Sequence, residues 1–136
     1  MILKNKLITI IVVTYNVKYK LPVLFNSIAL QKTDEIELVL IDGNSTDGTK
    51  EIINDYSSII DYHLSEKDDG IYDAMNKGVQ RATGEVIGIL NSDDFYVHGN
   101  VLNEVATAFS ADPTLDVVLG DVDFVKSGDL ENPVRT

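Results

Sequence analysis

Apolar runs and amphipathic stretches alternate from one end of the chain to the other, the pattern of a βαβ protein with a mainly parallel sheet. Leu7 to Thr14 is a near-continuous Ile/Val run and predicts a strand buried on both faces. Pro22, tolerated in a first helical turn, opens a helix with Leu21, Leu24, Phe25 and Ile28 on one side. Glu37 to Ile41 predicts a second strand ending at Asp42, and the polar turn from Gly43 to Gly48 leads into a helix reaching Tyr56. Ile59 to Leu64 predicts a third, shorter strand, followed by a charged loop from Ser65 to Gly70. Asp69 is placed to cap a helix in which Ile71, Met75, Val79 and Ala82 recur at helical spacing, with Gly84 as its stop. Glu85 to Leu90 is a fourth strand. A helix from Asn100 to Ser110 then ends at Asp112-Pro113, and Asp116 to Gly120 is expected as a fifth strand. The sum is an α/β fold, three layers α/β/α about a mainly parallel sheet, with one domain over residues 1–125 and a polar tail over 126–136.

The chemistry gathers where strands end. Val86-Ile87-Gly88-Ile89-Leu90 runs straight into Asn91-Ser92-Asp93-Asp94, so two adjacent carboxylates surface from a buried strand. Neighbouring carboxylates repel and burial raises their pKa, so such a pair is held by a cation, solvated in a cleft, or used as a helix-capping turn. Oxygen-only ligands suit Mg²⁺ or Mn²⁺, which take one or two protein carboxylates and fill the rest of their shell with water and phosphate. Polar clusters also follow the first strand, at Thr14-Tyr15-Asn16, and the second, from Asp42 to Asp47. In an open parallel sheet these carboxyl ends line one crevice, the usual ligand position of doubly wound folds.

Composition narrows the classes. The chain has no cysteine, which removes disulfides, thiolate nucleophiles and Cys-based metal sites. Its longest apolar stretch falls far short of the roughly 20 residues that span a bilayer, and its first residues lack a signal-peptide core, so a cytoplasmic protein is expected. A formal net charge of −11 opposes binding to nucleic acid. The same charge means that a phosphate ligand needs a divalent cation beside it, because salt screens only beyond about 8 Å. Neither a P-loop nor a Gly-x-Gly-x-x-Gly turn follows the first strand. Gly78, inside a helix, costs about 1 kcal/mol against alanine and implies close backbone approach, to a nucleotide or to the adjacent strand. Lys77 and Arg81 either face a phosphate or form a solvated helix face, and His63 and His98 are read as loop histidines without a role.

Val13-Thr14-Tyr15-Asn16, Ile41-Asp42-Gly43-Asn44-Ser45-Thr46-Asp47-Gly48-Thr49, Asp69-Gly70 with Ala74-Met75-Asn76-Lys77-Gly78, and Gly84-Glu85 with Leu90-Asn91-Ser92-Asp93-Asp94 occur in that order. Together they resemble the nucleotide-binding half of family 2 glycosyltransferases, from about Leu7 to Asp121. That resemblance implies the GT-A fold, the Rossmann-like fold of nucleotide-diphospho-sugar transferases. It also implies inverting, metal-dependent transfer from a nucleoside-diphosphate sugar, UDP-linked, to an acceptor hydroxyl on a glycan or lipid-linked acceptor in surface polysaccharide synthesis. It implies a nucleotide site comprising Thr14, Tyr15, Asn16, Asp42, Asp69, Asn76 and Asp93. Tyr15 would border the base, Asp42 would lie in the base and ribose pocket, Asp93 near ribose or phosphate, and Asp94 would hold Mn²⁺ or Mg²⁺ as part of a DXD-type element. Gly43 departs from the pattern, standing where many members carry a second acid. The family's general base and acceptor region come later than the matched segment, so the catalytic base is expected beyond Thr136 and the chain is expected to be an N-terminal portion. Little transfer by the portion alone, self-association through exposed apolar surface near the fifth strand, and a peripheral position at the inner membrane for the full-length enzyme are expected in turn. Two other readings are a nucleotide-sugar binder without turnover and a sugar-nucleotide pyrophosphorylase. The second would want a Gly-rich, basic loop where Thr14-Tyr15-Asn16-Val17 stands.

Overall fold

Seven consecutive buried residues form β1, Ile8–Thr14, and seven more form β2, Ile36–Asp42, in a computed structural model that describes residues 6–135. Such continuous burial is what a strand covered on both faces requires, and the two pair in parallel from Ile8 opposite Ile36 to Thr14 opposite Asp42. β3, Tyr62–Ser65, lies along β2, and β4, Val86–Asn91, lies along β1 with Val13 opposite Asn91. The sheet order is therefore β3-β2-β1-β4, all parallel, with every strand's carboxyl end on one edge. β3 begins later than the apolar run suggests because Ser57–Ile59 winds into a single 3-10 turn first.

Alternation along β1 divides the core in two. Ile8, Ile10 and Val12, with Leu38 and Leu40, pack against Leu21, Leu24, Phe25 and Ile28 of α1, Leu21–Ala29. Ile53 of α2, Thr49–Asp55, joins the same cluster. Ile11, Val13, Val39 and Ile41 face the other way and meet Ala74 of α3, Ile71–Arg81. The layers are thus α/β/α. Each fully buried Ile or Leu contributes about 1.5–3 kcal/mol relative to exposure.

The inner face of α3 corrects the periodicity. Ala74 and Gly78 are its buried residues, whereas Ile71 is 50% and Val79 43% exposed. A Cβ on Gly78 would stand 2.5 Å from Ile11 Cγ2, so the helix backbone lies against the strand and Ile71 and Val79 are turned outward, while Met75 stays partly buried against the same cluster. Of the two partners left open for Gly78, it is the strand that approaches. The helix start differs too: Gly70, at φ 109°, takes the N-cap position, and Asp73 reaches back to accept the Asp69 N–H at 3.0 Å.

β2 also carries a buried carboxylate near its amino end. Glu37 accepts the Thr9 hydroxyl at 2.6 Å and the Thr83 N–H and hydroxyl, both at 2.8 Å, while Thr9 Oγ1 accepts the Gly84 N–H. This cluster fastens the connection between α3 and β4 to the amino ends of β1 and β2.

The chain divides into two compact units, the first running to Ala106 and the second beginning at Thr107. The boundary falls within α4, Val101–Ala111. In the second unit the expected strand from Asp116 to Gly120 does not form. A strand exists only with a hydrogen-bonded neighbour, and the pairings there are two isolated bridges, Phe124 with Arg135 and Lys126 with Asp129. Among the described residues no helix is long and apolar enough to cross a membrane.

Candidate functional site

The loops leaving β1 and β2 are joined into one body by side chains that the polar clusters supply. The Asp42 carboxylate, with no solvent exposure, accepts the Thr14 hydroxyl at 2.7 Å, the Ser45 hydroxyl at 2.5 Å and N–H at 2.9 Å, and the Ser65 hydroxyl at 2.7 Å. Burial alone would raise its pKa, yet the hydrogen bonds from Ser45, Ser65 and Thr14 outweigh it and hold the group below the ordinary carboxylate range. Asn16, in the left-handed region at φ 50°, donates its N–H to Ser45 Oγ and accepts the Thr46 N–H, each at 2.9 Å. Thr49 Oγ1 accepts the Val17 N–H, and Asp47 in turn accepts the Thr49 N–H and hydroxyl. Asp42 thereby braces the loops through its carboxylate, and Asn16 through its N–H and Oδ1.

Between these loops and the start of α3 lies a cavity of about 500 Å³. Its lining combines apolar Val13, Tyr15, Ile71 and Ala74 with polar Thr14, Lys67, Asp68 and Ser92, and includes Gly43 and Gly70. That volume and lining suit a ligand with a flat apolar body and a few polar edges. The Tyr15 ring is 66% exposed, so packing does not account for it, and the outward Ile71 is explained by its place in this wall.

Of the residues singled out from sequence, Thr14 and Tyr15 line the cavity, and Asp42 stands behind Thr14. Asp69 is exposed, its N–H given to Asp73, and Asn76 is exposed on α3; neither is in the cavity wall. Sequence reasoning passed over Lys67 and Asp68. The signal was present, since the loop after β3 leaves the same sheet edge as the others. Asp68 Oδ1 accepts the Gly70 N–H at 3.0 Å, and Oδ2 would lie 3.0 Å from a Cβ on Gly43. Lys77 Nζ pairs with Glu66 at 3.0 Å and Asp73 at 3.4 Å, and so pins this loop to α3. The Arg81 guanidinium lies over the Tyr62 ring, 4.5 Å from its centroid. His63 lies on β3, and the His98 ring accepts the Asn100 N–H.

The acidic pair follows Ser92, the cavity residue contributed from the β4 end. The Asp94 N–H closes a turn onto the Asn91 carbonyl at 3.0 Å, and both carboxylates are exposed. Among the described residues, the side-chain contacts of the pair are a long one from Asp93 to Lys20, 4.0 Å, and a weak one from Asp94 to Asn91 Nδ2, 3.5 Å. Among the described residues no three His, Cys, Asp or Glu side chains converge into a metal cage. Two hydrated carboxylates with oxygens to spare nevertheless fit Mg²⁺ or Mn²⁺, which keep most of their shell for water and phosphate.

Residues 9–136 match the sequence pattern described as glycosyl transferase family 2. The chain belongs to glycosyl transferase family 2. A PGL/p-HBAD biosynthesis glycosyltransferase of Mycobacterium bovis is 40% identical over 117 residues, covering 84% of this chain and 46% of that protein. The chain thus spans about half the length of this relative. Among solved structures, S. aureus TarS in complex with UDP-GlcNAc superposes with a TM-score of 0.70 at 28% identity, over 77% of this chain and 31% of that one. The mannosyltransferase PcManGT of Pyrobaculum calidifontis, in complex with GDP-Man and Mn²⁺, gives 0.71 at 28% identity, over 82% and 34%. The fold of this family 2 chain is therefore the GT-A fold, with the four parallel strands as its Rossmann-like core.

Proposed function

We propose that the enzyme to which this chain belongs is an inverting glycosyltransferase of surface polysaccharide or glycan synthesis, using a UDP-linked sugar and a divalent cation. The observation that carries this reading is the cavity at the carboxyl edge of the sheet, walled by Tyr15 and Thr14 and reaching Ser92, the residue just before the acidic pair. Tyr15 and Ile71 offer apolar surface to a nucleotide base, and the diphosphate would extend toward Asp93 and Asp94. Asp94 would hold Mn²⁺ or Mg²⁺, with Asp93 on the ribose or phosphate side. When bound, the cation neutralises the charge that develops on the departing diphosphate.

In the whole enzyme a general base takes the proton of an acceptor hydroxyl on a glycan or lipid-linked substrate. The oxygen then forms its bond to the anomeric carbon as the bond to the nucleoside diphosphate breaks on the opposite side. The chain's own contribution is to bind and orient the donor, which lowers the barrier by fixing the reacting geometry in advance. A cytoplasmic enzyme acting at the inner face of the membrane is consistent with such a donor. Val117 and Leu119, exposed in the run expected as a fifth strand, supply apolar surface for self-association.

Calorimetry with UDP, with and without Mn²⁺, tests the binding half of the proposal. Saturable, Mn²⁺-enhanced binding that Tyr15→Ala weakens is expected, and an absence of binding by any nucleoside diphosphate overturns it. A turnover assay run beside it separates transfer from binding without turnover.

A further inference from the structure

The two solved neighbours carry different bases, one uridine and one guanosine, so the fold leaves base choice to the residues of each chain. In this chain Gly43 leaves a space at the cavity wall that the neighbouring loop fills. A Cβ at position 43 would meet Asp68 Oδ2 at 3.0 Å and Tyr15 Cδ2 at 3.4 Å, so ring and carboxylate flank one point on the wall. Asp68 is fixed there by the Gly70 N–H on Oδ1, while Oδ2 has no hydrogen-bond partner among the described residues. Lys67, next in sequence, lines the same cavity and contributes an ammonium donor. The wall therefore presents a carboxylate oxygen without a partner among the described residues beside an exposed aromatic ring, with the Lys67 side chain in the same lining.

We propose that Asp68 and Lys67 read the imide edge of uracil, Asp68 Oδ2 accepting its N3–H and Lys67 donating to a flanking carbonyl, while Tyr15 covers the base. This rests on reading the cavity as the nucleotide site. Uracil presents one donor between two acceptors, which matches one free oxygen and a nearby cation. Guanine places two donors side by side and calls for both carboxylate oxygens, one of which Gly70 already occupies. Cytosine and adenine turn an acceptor nitrogen toward the carboxylate and are repelled. Leaving a buried polar group unmatched is what lets a pocket reject a near-isostere strongly.

The test is calorimetry of the full chain with UDP, CDP, GDP and inorganic pyrophosphate, all with Mn²⁺. Wild type is expected to bind UDP at least tenfold more tightly than CDP or GDP. Asp68→Asn, whose amide can donate to cytosine N3 and still accept the Gly70 N–H, is expected to lose at least tenfold for UDP. It should gain for CDP and bind pyrophosphate unchanged. Lys67→Met is expected to weaken UDP several-fold, again sparing pyrophosphate. If Tyr15→Ala weakens UDP but neither Asp68→Asn nor Lys67→Met alters the UDP-to-CDP ratio, the base-reading assignment falls and the cavity remains the nucleotide site. If no nucleotide binds, or Tyr15→Ala changes nothing, both readings fall together. Thermal unfolding of each variant identifies any loss caused by misfolding, and Lys67→Met, on an exposed side chain, keeps the assignment open to refutation should Asp68→Asn fail to fold.

Discussion

Gly78 of α3 rests on Ile11 of β1 so closely that a Cβ at position 78 would stand 2.5 Å from Ile11 Cγ2. That contact sets how near α3 lies to the sheet, and α3 carries Ile71 and Ala74 into the cavity wall. Gly78→Ala gains about 1 kcal/mol of helix propensity but must displace a fully buried isoleucine, an overpacking cost of about 1–3 kcal/mol. A net loss of about 1 kcal/mol is expected, read as a lower midpoint in urea. A stabilised variant would mean that helix and strand are free to separate.

The residues that periodicity misplaced on α3 show what sequence can and cannot reveal. β1 and β2 were legible because seven consecutive buried positions leave a long apolar run, and no other element accommodates it at that length. Most of the inner stripe of α3 was not, because a helix that packs by its backbone uses Ala74 and Gly78, whose small side chains stand out little in a hydrophobicity pattern. The same limit governs the site. Polar clusters at strand ends located the crevice, but whether a carboxylate braces a loop or faces a ligand depends on its partners. Asp42 is surrounded by hydroxyl donors from Thr14, Ser45 and Ser65, while Asp68, passed over in favour of Asp69, keeps a free oxygen. The run from Asp116 to Gly120 has strand-forming residues, and strand formation there needs a pairing partner that local sequence does not encode.

Acid should act through two buried carboxylates. Burial opposes the charged form of Glu37, but hydrogen bonds from Thr9 and Thr83 prevail and lower its pKa; Asp42 is lowered in the same way. A group whose folded pKa lies below its unfolded value stabilises the fold above the unfolded pKa, about 4 for these side chains. That stabilisation disappears as pH falls through the folded value. Glu37→Gln, which keeps an acceptor but loses the charge, should therefore cost about 1 kcal/mol at pH 7. The gap between wild type and variant in urea midpoint should close below about pH 4. A gap that is constant from pH 7 to pH 3 would contradict the assignment.

Lys77 offers a way to loosen the ligand loop while leaving the core alone. Its pairs with Glu66 and Asp73 are partly exposed and add little to the stability of the fold. They nonetheless tie the segment bearing Lys67 and Asp68 to α3. Lys77→Met is expected to leave the melting temperature within a few degrees of wild type and weaken UDP several-fold, with pyrophosphate binding unchanged. Equal affinity for UDP in variant and wild type would assign the loop's position to its other ties, the Glu66 N–H on the Asp42 carbonyl and the Asp69 N–H on Asp73.

The acidic turn separates two roles that adjacent residues share. Asp93 and Asp94 are both exposed and make only long side-chain contacts among the described residues, so neutralising either should leave the fold intact. Metal affinity from one or two carboxylates depends on their charge, and an amide retains the shape without it. Asp94→Asn is accordingly expected to abolish the enhancement of UDP binding by Mn²⁺, at least tenfold, while metal-free affinity stays the same. Asp93→Asn is expected to weaken UDP in the presence and absence of Mn²⁺ alike, as a contact to ribose or phosphate would. Electron paramagnetic resonance of Mn²⁺ titrated into the UDP complex reports the bound ion directly, without relying on turnover. Full Mn²⁺ occupancy in Asp94→Asn, with its loss in Asp93→Asn, would exchange the two assignments; full occupancy in both would move the cation away from this turn.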